Sequence, residues 1–246
     1  MQVKSKEIQS SNRSQYFIPW IGATLGAAWF IFQRSTGNSG FDLGFYNSLF
    51  IAAFLVSAIL LLACFFKSVE HLGLIVLPAT VICLAMNLLL EQPGTPVEYS
   101  IGIQTHIISS IIAFSILCLA AVQAIILLVQ ERHLKQHTAA GILRALPSLR
   151  ENEFILFQTI VLGVLVLTIA LATGFIFLDD IFAQHLVHKT VLSILAWIVF
   201  VILLWGRAQF GWRGPTAVRW TLGGFSFLIL AFFGSKFVLE LILSRT

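Results

Sequence analysis

Seven long apolar runs, separated by short polar segments, dominate the hydrophobic pattern of the chain. A helix needs about 20 mostly apolar residues to cross the hydrocarbon core of a membrane, and each run approaches that length. Backbone groups in lipid must be hydrogen-bonded within their own segment, so the runs are predicted to be helices. The predicted spans are Tyr16–Phe32, Phe45–Phe66, Leu72–Leu90, His106–Val129, Phe154–Phe177, Lys189–Leu204 and Trp220–Leu241, of which the first and the sixth are short.

The composition agrees with a membrane protein. Hydrophobic residues make up 58% of the chain and charged residues 11%, whereas a water-soluble protein of this length needs far more charge to cover its surface. We therefore predict an all-α, polytopic transmembrane bundle of about seven helices, with a polar tail at residues 1–15 and a single domain at 16–246. The excess of basic residues is attributed to the loops between membrane spans. We therefore expect the lipid bilayer, and not nucleic acid, as a partner.

The distribution of Lys and Arg among the loops predicts the orientation, because cytoplasmic loops carry an excess of both. With the N-terminus in the cytoplasm, only Arg34, Lys189, Lys236 and Arg245 of the 15 basic residues lie outside. The C-terminus is then periplasmic. The cytoplasmic set is Lys4, Lys6, Arg13, Lys67, Arg132, Lys135, Arg144, Arg150, Arg207, Arg213 and Arg219.

Two histidines stand where predicted spans begin at the outer face. His106 opens the fourth span and His188 directly precedes the sixth. Imidazole is a common axial ligand of haem, and the macrocycle favours apolar and aromatic walls. We therefore predict a non-covalent, b-type haem held by His106 and His188, with Lys189, Arg34 and Lys236 near its propionates. Structural, hydrogen-bonding histidines are the alternative.

Other polar residues allow competing interpretations. His185 and His188, spaced as i and i+3, would suit zinc together with Asp179 or Asp180. Lys236 lies in an apolar run, where it is either functional or extended toward the interface. Cys64, Cys83 and Cys118 form no Cys-x-x-Cys pattern, which argues against covalent haem and against disulfides.

Small residues follow His106 on one predicted helix face. The face comprises Ser110, Ala113, Leu117, Ala120 and Ala124. Such a stripe lets another helix, or a flat ligand, approach closely. Isolated polar residues elsewhere in the spans are interpreted as interhelical hydrogen-bonding groups: Asn47, Asn87, Gln123 and Gln158.

Several spaced motifs resemble the CcsA-type cytochrome c assembly family, most closely its inner-membrane YpjD and HemX-like branch. The resemblance runs from about Leu72 to the C-terminus. It rests on Thr105-His106, Leu146-Pro147-Ser148-Leu149, His188-Lys189-Thr190, Ser193 to Trp197, Leu203 to Arg207, Gly211-Trp212-Arg213-Gly214 and Phe232 to Ser235. It implies haem handling at the outer face of the bacterial inner membrane, with a histidine at the position of His106 as a haem ligand.

The chain departs from the members that attach haem to apocytochrome. Those members carry a tryptophan-rich loop with a Trp-Asp-Pro-Lys-Glu signature, where this chain reads Leu186-Val187-His188-Lys189-Thr190. Trp205 stands where the family has a histidine in the sixth helix. The losses argue against an enzymatic role and favour haem binding alone.

Two other functions stay open. One is a non-enzymatic membrane partner, like the HemX-type proteins that influence haem synthesis, with the segment Gln130 to Asn152 as its working surface. That segment mixes leucines with charges and could form an amphipathic surface helix. The other is a small-molecule transporter, which would need broken helices near the midplane. Other cytochrome c maturation or haem-synthesis proteins are the expected partners.

Overall fold

The computed structural model describes residues 17–33, 44–90, 100–135, 147–177 and 184–234, with the side chains of 184–186 excepted. Within these ranges the chain forms helices and no strands. The α-helices are α1 (Phe17–Gln33), α2 (Phe45–Phe66), α3 (Gly73–Leu90), α4 (Ile101–Lys135), α5 (Leu149–Phe177), α6 (Gln184–Phe210) and α7 (Gly214–Ile229). A 3₁₀ turn at Glu70–Leu72 leads into α3, and a π-helical turn at Leu230–Gly234 continues α7.

The helices confirm the predicted all-α membrane class. In the described ranges, six of them are long and apolar enough to cross a membrane, and α1 is a shorter apolar helix. The prediction for α2 matches the observed bounds. The prediction for the sixth span was too short, since α6 has 27 residues.

Helices α4 to α7 form a four-helix arrangement at the centre of the molecule. α4 packs against α5 and α7, and α6 packs against the same two helices on the other side. α4 and α6 therefore lie diagonally across from one another. α2 packs against α4 and α3, and α1 is joined to α2 by a 3.0 Å hydrogen bond from Trp20 Nε1 to Ser57 Oγ.

The small-residue stripe of α4 is a helix-packing surface. Ala113, Leu117, Ala120 and Ala124 are fully buried in one core that includes Ile160 of α5. A β-carbon on Gly163 of α5 would overlap the Leu117 side chain. α5 therefore packs closely against α4. Of the two roles expected of the stripe, contact with another helix and contact with a flat ligand, the structure shows contact with another helix.

Consecutive helices among α4 to α7 run antiparallel, so the bundle has two distinct ends. α4 and α6 begin at one end, which we name the His106 end. α5 and α7 begin at the other, which we name the Arg207 end. The two ends differ in packing: on α4 no side chain before Ala113 is buried, and on α6 none from Val187 to Leu195 is.

Candidate functional site

His106 lies on the second turn of α4 and points toward α5. Its Nδ1 is 2.8 Å from the backbone carbonyl oxygen of Ala170, and the side chain is half-buried. A carbonyl oxygen only accepts hydrogen bonds, so Nδ1 must carry the proton. The neutral ring then presents its lone pair on Nε2. A histidine that binds a metal characteristically donates its other ring N–H in this way, because the bond fixes both the tautomer and the ring orientation.

His188 lies on the first turns of α6, at the same end of the bundle, and its side chain is exposed. A hydrogen bond of 2.9 Å from Trp197 Nε1 to Thr168 Oγ1 sets the register between α6 and α5. Measured from that bond, Ala170 is two residues toward the His106 end on α5, and His188 is nine residues toward it on α6. At 1.5 Å per residue, His188 stands roughly 10 Å nearer the end than His106.

An aromatic cluster packs between α4 and the α7 segment below His106. Two turns deeper on α4, the Phe114 ring contacts three aromatic rings of the α7 segment, with centroid distances of 5.4 Å to Phe225, 4.9 Å to Phe232 and 5.5 Å to Phe233. Phe232 and Phe233 are adjacent, and both reach Phe114 within the π-helical turn. The residues fit haem in part: the hydrogen bond to Ala170 leaves His106 Nε2 available, whereas the offset along the bundle separates His188 from it. Both histidines remain predicted ligands.

Several predicted site residues fall outside the described ranges. Arg34 and Lys236 are among them, so their part in the site stays a prediction. Lys189 is half-buried beside His188 on α6. The zinc alternative depends on His185, Asp179 and Asp180, whose side chains also lie outside. Among the residues that the structure describes, no three His, Cys, Asp or Glu side chains cluster as a metal site.

A second organised site, which the sequence analysis did not predict, lies at the Arg207 end. The Arg207 guanidinium is bonded to the Glu153 carboxylate, donates to the Trp212 carbonyl over 3.2 Å, and stands 4.4 Å from the Phe157 ring centroid. The turn that holds it depends on Gly211, whose φ of 65° suits glycine. The signal in the sequence was Glu153, an acidic residue at the edge of an apolar run.

A second polar link, of which the sequence analysis indicated only Gln123, joins α4 to the start of α5. Gln123 Nε2 donates to Asn152 Oδ1 over 3.0 Å, and Asn152 Nδ2 donates to Gln130 Oε1 over 3.3 Å. Gln123 thus serves as an interhelical hydrogen-bonding group, as predicted. Gln158 does not: it is exposed in a groove between α5 and α6.

Comparison with known proteins identifies the family. The family model described as cytochrome C assembly protein matches residues 18–243. This chain belongs to the cytochrome c assembly protein family. The match covers every described helix except the first residue of α1, so the family's architecture extends over the whole bundle.

Individual relatives agree with this family. The inner membrane protein YpjD of Escherichia coli K12 is 31% identical over 211 residues, which cover 84% of this chain and 78% of YpjD. A 28.8 kDa protein from the nifR3-like 5′ region of Azospirillum brasilense is 30% identical over 245 residues, covering 95% and 89% of the two chains. No solved structure matches. In the described ranges six helices are long and apolar enough to cross a membrane, and a relative is an inner membrane protein. This cytochrome c assembly family member is therefore a multi-pass protein of the bacterial inner membrane.

Proposed function

We propose that this cytochrome c assembly family member binds haem non-covalently at the His106 end, with His106 Nε2 as an axial ligand. The observation that carries the proposal is the 2.8 Å hydrogen bond between His106 Nδ1 and the Ala170 carbonyl. It holds the imidazole in the tautomer that offers Nε2. Bound haem supplies an iron that accepts an imidazole nitrogen and changes oxidation state.

His188 is the second proposed ligand, and Lys189 is proposed to face the haem propionates. Both lie at the same end as His106. The two histidines are offset by roughly 10 Å along the bundle, so His188 would reach an iron held by His106 only if that distance were closed. Arg34 and Lys236 are proposed as further cations near the propionates.

The His106 end is proposed to face the periplasm. Eleven of the 15 Lys and Arg residues belong to segments on the opposite side when the N-terminus is cytoplasmic. The positive-inside rule therefore supports a cytoplasmic Arg207 end. Haem would then be held near the outer face.

The test is the absorption spectrum of purified, haem-supplemented protein. We expect a Soret band that shifts on reduction, and we expect His106→Ala to lower haem affinity roughly tenfold or more, since even outer-shell changes cost 10–100-fold. His188→Ala should alter the spectrum by removing the second ligand.

His133→Ala is the matched control. His133 also lies on α4, and its Nδ1 also contacts a backbone carbonyl, that of Val129 at 2.9 Å, but it lies at the Arg207 end. The haem content of the His133→Ala variant should equal that of the unaltered protein. A colourless preparation after supplementation, or undiminished haem in His106→Ala, would contradict haem binding and favour the role of a membrane partner.

A further inference from the structure

An apolar groove runs along the outside of the bundle between α5 and α6, near the Arg207 end. We name it the α5–α6 groove. It has a volume of about 430 Å³. Its lining residues are Phe154, Phe157, Gln158, Val161, Leu162 and Leu165 of α5 and Arg207 of α6.

The length of the groove matches one leaflet of a membrane. Phe154 and Leu165 mark its two ends on α5. At 1.5 Å per residue these ends are roughly 16 Å apart, while half of the hydrocarbon core is about 15 Å. Val161, Leu162 and Leu165 are all exposed. The groove therefore suits an acyl chain that extends from the interface toward the midplane.

Cations surround the mouth of the groove. Arg213 Nε lies 3.8 Å from the carboxylate of Glu153 that also binds Arg207, and the Arg213 side chain is 68% exposed. Arg150 is exposed one helical turn before Phe154 on α5. Arg213 and Arg150 thus keep donors available to an external anion.

The charge balance at the mouth is positive. Lys67 Nζ adds a further cation, 5.7 Å from the ring centroid of Phe154. These four basic residues outnumber the three nearby carboxylates, Glu153, Glu151 and Glu131, the last of which lies against Gly214 and is paired with Lys135. A phosphate group is the anion for which arginine is best suited, because the guanidinium donates two parallel hydrogen bonds.

Gln158 is the independent indication that the groove holds a ligand. Its side chain is exposed within the apolar lining, and it has no hydrogen-bond partner among the described residues. An amide without a partner in hydrocarbon is unfavourable, because nothing there replaces its hydrogen bonds to water. Gln158 lies five residues deeper than Glu153, roughly 7.5 Å, where a ligand carbonyl below a phosphate would accept its N–H.

We propose that the α5–α6 groove binds an anionic phospholipid from the leaflet at the Arg207 end. The phosphate contacts Arg213, Arg150 and Arg207, an ester carbonyl accepts from Gln158, and an acyl chain lies along Val161 to Leu165. Haem is disfavoured here because the lining contains no His, Cys or Met ligand. The site is separate from His106 and does not depend on the proposed haem binding.

The test measures lipid binding to the full-length protein in nanodiscs of phosphatidylcholine with and without phosphatidylglycerol. Native mass spectrometry after release should show phosphatidylglycerol retained in preference to phosphatidylcholine. Each arginine near a membrane surface contributes about 1 kcal/mol toward an anionic lipid, so Arg150→Gln and Arg213→Gln should each reduce the preference roughly fivefold. Leu162→Trp should abolish retention by filling the groove.

Arg132→Gln is the matched control, because Arg132 is exposed at the same end but lies on α4, whereas the groove is lined by α5 and α6. It should retain phosphatidylglycerol fully. All variants change exposed side chains, so their melting temperatures in pure phosphatidylcholine should be unchanged, which separates loss of lipid from loss of fold. Three outcomes would overturn the proposal. The unaltered protein could retain both lipids equally, Arg132→Gln could lose as much phosphatidylglycerol as Arg150→Gln and Arg213→Gln, or Leu162→Trp could remove the Soret band.

Discussion

Two adjacent glycines of α7 face different surroundings. A β-carbon on Gly224 would lie 2.9 Å from the ring of Phe200, whereas one on Gly223 would meet nothing within 4 Å. Phe200 is fully buried, so its ring has nowhere to move. The close packing of α7 on α6 therefore depends on Gly224 and not on its neighbour.

Alanine at each glycine should separate packing from helix propensity. Overpacking a core costs typically about 1–3 kcal/mol, while alanine in place of glycine gains up to about 1 kcal/mol in a helix. Gly224→Ala should lower the melting temperature in detergent, and Gly223→Ala should leave it unchanged or raise it. Equal effects of the two substitutions would show that α6 and α7 are not packed through Gly224.

At the same scale, the sequence indicated His106 but not its hydrogen-bond partner. The residue type and its place at the start of an apolar run were visible in the sequence. Ala170, 64 residues away, offers a backbone carbonyl, which every residue has and no pattern marks. Glu153 and Arg207 illustrate the same limit, since their contact requires the register of two helices.

At the scale of elements, hydropathy located the helices but not their ends. α4 extends five residues before the predicted His106 and six beyond Val129, to Lys135. Arg132 and Lys135 are too polar for the hydrocarbon core but are good helix formers. The ends of an apolar run indicate the edge of the hydrocarbon core. A helix continues past that edge as long as its backbone hydrogen bonds are made.

The link between α4 and α5 also acts at this scale. Asn152 is fully buried and both accepts from Gln123 and donates to Gln130. Asn152→Leu would remove one hydrogen bond from each glutamine, while Gln123 keeps the backbone carbonyl of residue 152 and Gln130 keeps that of Pro147. A lost bond to a buried polar group costs about 1–3 kcal/mol, so we expect a lower melting temperature in detergent.

Gln158→Leu serves as the control on the same helix. Gln158 is exposed, so its replacement should not reduce stability in neutral detergent. In a double-mutant cycle, Gln123→Leu should cost less in the Asn152→Leu background than alone, by roughly 0.5–3 kcal/mol. Additive costs would mean that the two residues do not act together.

At the scale of the whole molecule, packing and charge describe different properties. Helix contacts establish which ends lie together: α4 and α6 begin at one, α5 and α7 at the other. Packing alone does not determine which end faces the cytoplasm, because a bundle inverted in the membrane keeps every internal contact. The orientation depends on the Lys and Arg residues near the membrane, because moving them across the bilayer during insertion is costly.

Alkaline phosphatase fusions test the choice, because the enzyme forms its disulfides only in an oxidising compartment such as the periplasm. Fusions at Thr95, between α3 and α4, and at Ile181, between α5 and α6, should be active. A fusion at Ala140, between α4 and α5, should be inactive although expressed to the same level. The reverse pattern would place His106 toward the cytoplasm and would contradict a haem site at the outer face.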